Sequence, residues 1–345
     1  MKMSNWSATK SKLCVTPLFV MVFFLSCQEV PKGSYRNFGG EGIGTYYQIV
    51  LRDSLDRNLQ PAVDSILASM NQLFSLFSPE SVISTFNQSD IGVSDPDFAT
   101  LTLEAKRLST LTKGTFEPTI APLVRLWGFG SDSPEPPDST TVFALLANIG
   151  MRHIRVEGDS VVKDIPSISL DYNGIAKGYT VDRVATYLEQ MGIIHYMVNI
   201  GGEVRARGKS ARGTAWVLGV ETPEQNMLLG SSILQRIQLS TNAIATSGNY
   251  RSFREEGGKK WGHTINPRTG YPEANSLLSA TVLAPTCTEA DALATAMMVM
   301  GLDSAKTFLE YLPNIEALLV SRHDSATYDV WTTVGMKKFL LYDEQ

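Results

Sequence analysis

From Gln60 to Leu76 the apolar residues fall at Val63, Ile66, Leu67, Met70, Leu73 and Phe74, a spacing that predicts a helix with one buried face. The preceding TYYQIVLR, entered through Gly39 to Gly44, reads as a strand, so the fold opens strand then helix. A second helix is predicted over Asp97 to Thr112, halted by Lys113-Gly114. GTFEPTIAPLVRLWGFG, with two prolines and three glycines among aromatics, reads as an ordered loop. Residues 131 to 140, SDSPEPPDST, read as an exposed excursion. Short strands are predicted at Ile154 to Val156, Val161 to Lys163 and Ser167 to Asp171. A helix follows, its inner face formed by Val181, Val184, Ala185, Leu188 and Met191. Further strands are predicted at Tyr196 to Ile200, Trp216 to Val220, Ser232 to Leu239 and Ala243 to Ser247. This order predicts an α+β fold whose sheets are mixed or largely antiparallel and flanked by helices.

The first residues follow a different pattern. Lys2, Lys10 and Lys12 precede an apolar run from Val15 to Leu25, which Pro17 interrupts and polar QEVPKGSYRN follows. That run is too short for a typical membrane span and fits a signal peptide. Phe24-Leu25-Ser26-Cys27 resembles the lipobox of bacterial lipoproteins, with phenylalanine where leucine is usual. Cleavage there makes Cys27 the lipidated first residue, leaving 1–26 as signal and 27–38 as a short tether. An ordinary secretory signal cut elsewhere is the alternative, and both export the chain.

Lipidation at Cys27 leaves Cys287 as the only thiol, so stability must come from a hydrophobic core, which 43% hydrophobic residues can supply. A net charge of −5 without a dense Lys/Arg run argues against nucleic acid as partner.

Candidate chemistry lies in four places. In CTEADALATAMMVM, residues 287 to 300, Asp291 and Thr295 stand four apart, where a helix stacks both oxygens on one face within reach of a hard cation. The segment taken alone reads more simply as a buried helix through Ala290, Leu293, Ala294, Met297 and Met298, with Thr295 bonding back to a carbonyl. In Asp171-Tyr-Asn-Gly174-Ile-Ala-Lys177-Gly178 a strand hands over to a helix, a place for phosphate oxygens beside a lysine, or for Asp171 or Asn173 as a cap. His263 stands in a polar, turn-forming HTINPRTG, able to move a proton near neutrality or to hold the turn. Asn199-Ile-Gly201-Gly202-Glu203 reads as a turn at a strand end.

Taken in order, FEPTIAPLVRLWGFG, DYNGIAKG, VNIGGEVRARG, ATSGNY, HTINPRTGYP and TEADALATAMMVMG resemble the motifs of the ApbE family, the FAD:protein FMN transferases, over nearly the whole mature chain. The resemblance implies a domain over 39–345 that binds FAD as substrate. It implies Mg²⁺ held by Asp291, Thr295 and a backbone carbonyl at Gly174. Asp171, Lys177, Ile265, Trp127, Gly128 and Phe129 fall at the family's flavin-contact positions. So do Ile43 and Phe77, where many members have methionine and tyrosine. The implied reaction moves FMN from FAD to a threonine or serine hydroxyl of a partner, an exported electron-transfer subunit, and releases AMP. His263, with Asp291, is the candidate proton acceptor. Water in place of that hydroxyl would make the chain an FAD pyrophosphatase, and a non-catalytic, lipid-anchored FAD-binding protein is the third reading. The implied setting is a membrane-anchored lipoprotein facing the periplasm.

Overall fold

Tyr35–Gly42 (β1) and Thr45–Arg52 (β2) form a hairpin in a computed structural model that describes residues 33–128, 137–223, 232–249, 264–323 and 327–342, with the backbone of 253–256 and 259–262. Gln60–Phe74 (α1), Val82–Gln88 (α2), Gly92–Ser94 (β3) and Pro96–Leu111 (α3) follow. Next come Ala121–Leu126 (α4), Ser139–Leu146 (α5), Ile154–Glu157 (β4), Ser160–Lys163 (β5) and Ala176–Gln190 (α6). Tyr196–Ile200 (β6), Glu203–Arg207 (β7), Trp216–Glu221 (β8), Ile233–Leu239 (β9) and Thr241–Gly248 (β10) lead to Phe253–Glu256 (β11) and Lys259–Gly262 (β12). Leu277–Ala284 (β13), Cys287–Met300 (α7), Leu302–Leu309 (α8), Glu316–Arg322 (β14), Tyr328–Thr332 (β15) and Leu340–Leu341 (β16) complete the order.

An eight-stranded sheet runs β1-β2-β6-β7-β10-β13-β14-β15, and every neighbouring pair in it is antiparallel. Helix α7 packs on β10 and β13 from one side and against α6 from the other. Nearly all its residues are buried, as its composition of small and apolar side chains requires. Thr286 caps it, accepting from the Glu289 N–H at 3.2 Å, and Gly301 at φ +74° ends it.

The helix and strand positions predicted from periodicity are present, α+β and antiparallel, but several local expectations change. Gly39 to Gly42 belongs to β1, which starts at Tyr35, so ordered structure reaches into the segment read as tether. The expected loop after Gly114 contains a 3₁₀ turn, Pro118–Ile120, and α4. Glu117 caps that turn through the Thr119 N–H at 3.1 Å, and Pro118 and Pro122 each occupy an early helical position where no N–H donor is needed. Ser167 to Asp171 is not a strand. Its N–H groups go to a side chain and a loop, Leu170 to Asn87 Oδ1 at 2.7 Å and Asp171 to the Pro118 carbonyl at 2.8 Å. The Pro/Ser-rich excursion lies outside the described residues from 131 to 136, and its end starts α5, capped by Asp138. Strand β13 carries no period-two signal because all its residues are buried.

Candidate functional site

Asp291 is 2% exposed on α7, and its Oδ2 accepts the Gly178 N–H at 2.9 Å. A side chain at Gly178 would sit 2.7 Å from the Cys287 carbonyl carbon and 2.8 Å from Asp291 Cβ, so only glycine lets α6 approach α7 this closely. One turn on, Asp182 takes the Cys287 N–H at 3.1 Å, the Thr288 N–H at 2.8 Å and the Thr288 hydroxyl at 2.6 Å. The two helices therefore fix each other where the candidate ligands stand.

Thr295 lies one turn beyond Asp291. Its Oγ1 is 3.2 Å from Ser247 Oγ on β10, and a Cβ on Gly174 would meet it at 3.0 Å. Gly174 thus backs directly onto Thr295, and the expected trio of Gly174, Asp291 and Thr295 converges from two distant segments. Among the described residues no group of three His, Cys, Asp or Glu could hold a metal. The donor set still fits Mg²⁺: one carboxylate, one hydroxyl and one carbonyl are hard oxygens, and Mg²⁺ completes its shell with water and phosphate.

Lys177 Nζ lies 3.1 Å from Glu203 Oε1 and 3.9 Å from Asp291 Oδ1. Burial would lower the lysine's pKa, but the Asp291 and Glu203 charges outweigh it and the ammonium is held protonated. Glu203 is 4% exposed, and its Oε2 has no hydrogen-bond partner among the described residues. Burial pushes its carboxyl up to about 7, with Lys177 opposing and Asp291 adding to the rise. Gly201 and Gly202, at φ +66° and +106°, make the turn that delivers Glu203. A side chain on Gly201 would meet Thr45 Cγ2 at 2.9 Å and Lys177 Cδ at 3.3 Å. Glu203 entered the sequence reading only as the end of a strand-end turn, with no role of its own. Its only signal was an acidic residue directly after a strand-end glycine pair.

The start of α6 offers less to an anion than its glycines suggest. Ile175 and Ala176 both donate to the Tyr172 carbonyl, at 3.0 and 2.8 Å, and Gly178 donates to Asp291. Lys177 is therefore the main positive element there. Asp171 is half-buried, its Oδ1 accepts the Asn173 N–H at 2.8 Å, and burial raises its carboxyl above the ordinary value. It shapes the turn into Gly174.

Trp127 and Ile265, each 4% exposed, share an apolar cluster with Leu123, Val142 and Ile149. The indole Nε1 donates to the Gly270 carbonyl at 2.7 Å, and Tyr271 lies edge-on at 5.4 Å. Both side chains are committed to packing, and the N–H groups of Trp127 and of Gly128, at φ +70°, donate to the Leu123 and Arg125 carbonyls at 3.0 and 3.1 Å. Ile43 sits at φ +46° in the β1–β2 turn, a strained setting for a β-branched residue. It lines a cavity of about 690 Å³ with Thr45, Asp64, Leu67 and Asn71. Phe77 is 88% exposed, and among the described residues it makes no ring contact to the other candidates. Phe129, His263 and Cys27 lie outside the described residues.

The FAD:protein FMN transferase of Vibrio cholerae is 37% identical to the chain over 318 residues, covering 88% of this chain and 92% of that protein. That of Haemophilus influenzae is 35% identical over 317 residues, covering 87% and 90%. Among solved structures, the flavin transferase ApbE from Vibrio cholerae superposes with a TM-score of 0.78 at 34% identity, covering 89% of this chain and 99% of that one. The apo form of Pseudomonas stutzeri flavinyl transferase ApbE gives 0.80 at 28% identity, covering 89% and 97%. The ApbE sequence pattern matches residues 43–319, and with that span, these relatives and this fold the chain belongs to the ApbE family.

Proposed function

We infer that the chain moves FMN from FAD to a threonine or serine hydroxyl of a partner protein, with Mg²⁺, releasing AMP. The coarser statement is plain: the chain is an enzyme, a FAD:protein FMN transferase. The observation that carries the finer reading is the convergence of Gly174, Asp291 and Thr295 beside the buried Lys177–Glu203 pair.

In the step, the acceptor oxygen bonds to the FMN-side phosphorus, the phosphorus–oxygen bond to AMP breaks, and AMP leaves with that electron pair. Gly174, through its carbonyl, Asp291 and Thr295 would hold the metal, which when bound neutralises charge on the pyrophosphate. Lys177 meets a phosphate oxygen as a fixed positive charge, and Glu203 holds its ammonium in place. The hydroxyl proton passes to His263, with Asp291 as the second acceptor. Burial of Asp291 and Glu203 keeps water from the carboxylates. The acceptor is an exported electron-transfer subunit, and the chain meets it as a periplasm-facing lipoprotein anchored through Cys27.

Mass spectrometry of a candidate acceptor after incubation with FAD and Mg²⁺ tests the reading. An FMN adduct is expected from the wild type and not from Asp291→Ala, and His263→Ala should be strongly impaired while still binding FAD. Free FMN without an adduct would mark a pyrophosphatase, and an unchanged adduct in Asp291→Ala would refute the metal assignment.

A further inference from the structure

We infer that the end of the main sheet where the chain enters the fold is a membrane-apposed face fitted to an anionic phospholipid surface, so that the Asp291 site opens away from the bilayer. The inference rests on Cys27 being the lipid anchor. The fold is polarised along its strands. Thr45, Gly201, Glu203 and the Lys177 end of α6 mark one pole, and Arg52, His195, Arg207 and the Met191 end of α6 mark the other. Gly33 enters at the second pole, against the Asp53 carbonyl. Six residue steps separate Cys27 from Gly33, at most about 20 Å of extended chain, so this pole cannot stand far from the lipid.

Its chemistry suits that place. The β2–α1 and α6–β6 loops are tied together by the Arg52 N–H on the His195 carbonyl at 2.9 Å and the Arg57 guanidinium on the Met191 carbonyl at 2.8 Å. The loop after β7 joins them, since the Lys209 N–H donates to His195 Nδ1 at 2.9 Å and the Tyr35 hydroxyl to the Lys209 carbonyl at 2.6 Å. Two apolar tips project from this platform, Leu55 at 69% exposure and Ile194 at 57%. The nearby carboxylates are occupied, Asp53 by Arg57 at 2.9 Å and Asp56 by Arg36 at 2.6 Å. Arg52, Lys209 and Arg212 have no carboxylate partner among the described residues, and Lys209 and Arg212 are exposed. Burial, with the charges of Arg52 and Lys209 adding to it, holds the His195 imidazole below its ordinary pKa. A chain of net charge −5 thus carries a basic, apolar-tipped face where its tether begins, the pattern by which peripheral proteins rest on anionic lipid. Along β6, six residue steps of about 3.3 Å separate His195 from Gly201, which lifts the site by about 20 Å above this face. The acceptor hydroxyl must be presented at that height.

Hydrogen exchange on the mature lipidated protein tests this, in nanodiscs of phosphatidylcholine alone and with phosphatidylglycerol added. On phosphatidylglycerol, exchange in residues 53–58, 192–195 and 208–213 should slow several-fold, an effect that high salt removes, while 42–45 and 201–203 are unchanged. The variant Arg52→Gln/Lys209→Gln/Arg212→Gln should lose this slowing yet stay in the disc and keep its transferase activity. Equal exchange on both lipids, or protection at 42–45 instead, overturns the proposal. Absence of a lipid mass on Cys27 would instead sink the anchor reading. The compact unit Gly33–Gln345 then decides the face by itself, through sedimentation with phosphatidylglycerol vesicles, where no preference over phosphatidylcholine refutes it.

Discussion

Gly178→Ala sets two effects of opposite sign against each other. Within a helix, alanine for glycine ordinarily stabilises by about 0.5–1 kcal/mol through the unfolded chain. Here the added methyl would stand 2.7 Å from the Cys287 carbonyl carbon and 2.8 Å from Asp291 Cβ. Carbon atoms prefer roughly 3.5–4.0 Å, so the overlap is on the order of 1 Å, and one wall is backbone that cannot rotate away. Overpacking of this kind costs about 1–3 kcal/mol or more, and relief requires α6 and α7 to part. The separation would also lengthen the 2.9 Å bond from the Gly178 N–H to Asp291. The expected result is a net loss of about 1–2 kcal/mol in urea unfolding at an unchanged m-value, with FMN transfer falling by more than the stability loss explains. A Gly178→Ala protein as stable as the wild type, or a destabilised one with full transfer, would show that the close approach of α6 and α7 is not what aims Asp291.

Gly174→Ala differs in kind, because its methyl would meet Thr295 side-chain atoms at 3.0 and 3.1 Å, and a side chain can yield. Stability should change by less than about 1 kcal/mol while the Mg²⁺ concentration needed for transfer rises; an unchanged Mg²⁺ titration refutes this. Glu203→Gln keeps volume but removes the anion that holds Lys177, so kcat should fall on the order of tenfold or more with a smaller change in the KM for FAD, and Glu203→Asp should recover part of it. A wild-type kcat in Glu203→Gln would remove Glu203 from the positioning of Lys177. Asp53, bonded to Arg57 and 1% exposed, is lowered to about 2 from 3.8. Because its folded pKa is depressed, its contribution of about 2 kcal/mol is present above pH 4 and is lost as pH falls through 2. Asp53→Asn should therefore be destabilised at pH 7, with the gap to wild type closing below pH 4, and a pH-independent gap would refute the ion pair as its source.

The sequence by itself determined those elements whose burial is one-sided. Helices α1, α3 and α6 and strands β2, β6, β8 and β9 announce themselves because one face meets the core and the other meets water, which writes period into the chain. Helix α7 was legible for another reason, since a run of small and apolar residues that buries one carboxylate, Asp291, is costly unless that carboxylate has work. Asp291, Thr295, Gly174 and Lys177 were legible as candidates from motif order. What tertiary structure alone decided was the company they keep. β13 is buried on both faces and so has no alternation to read. Glu203 joins Lys177 only because a glycine turn folds β7 back along β6. Trp127 and Ile265 turn out to be packed against each other's cluster, a contact across more than a hundred residues that no local pattern encodes. The basic pole is likewise drawn from three loops that are distant in sequence, none basic enough to stand out alone. Local pattern records how each segment meets water, whereas charge pairing and close approach between segments exist only once the sheet has brought them together.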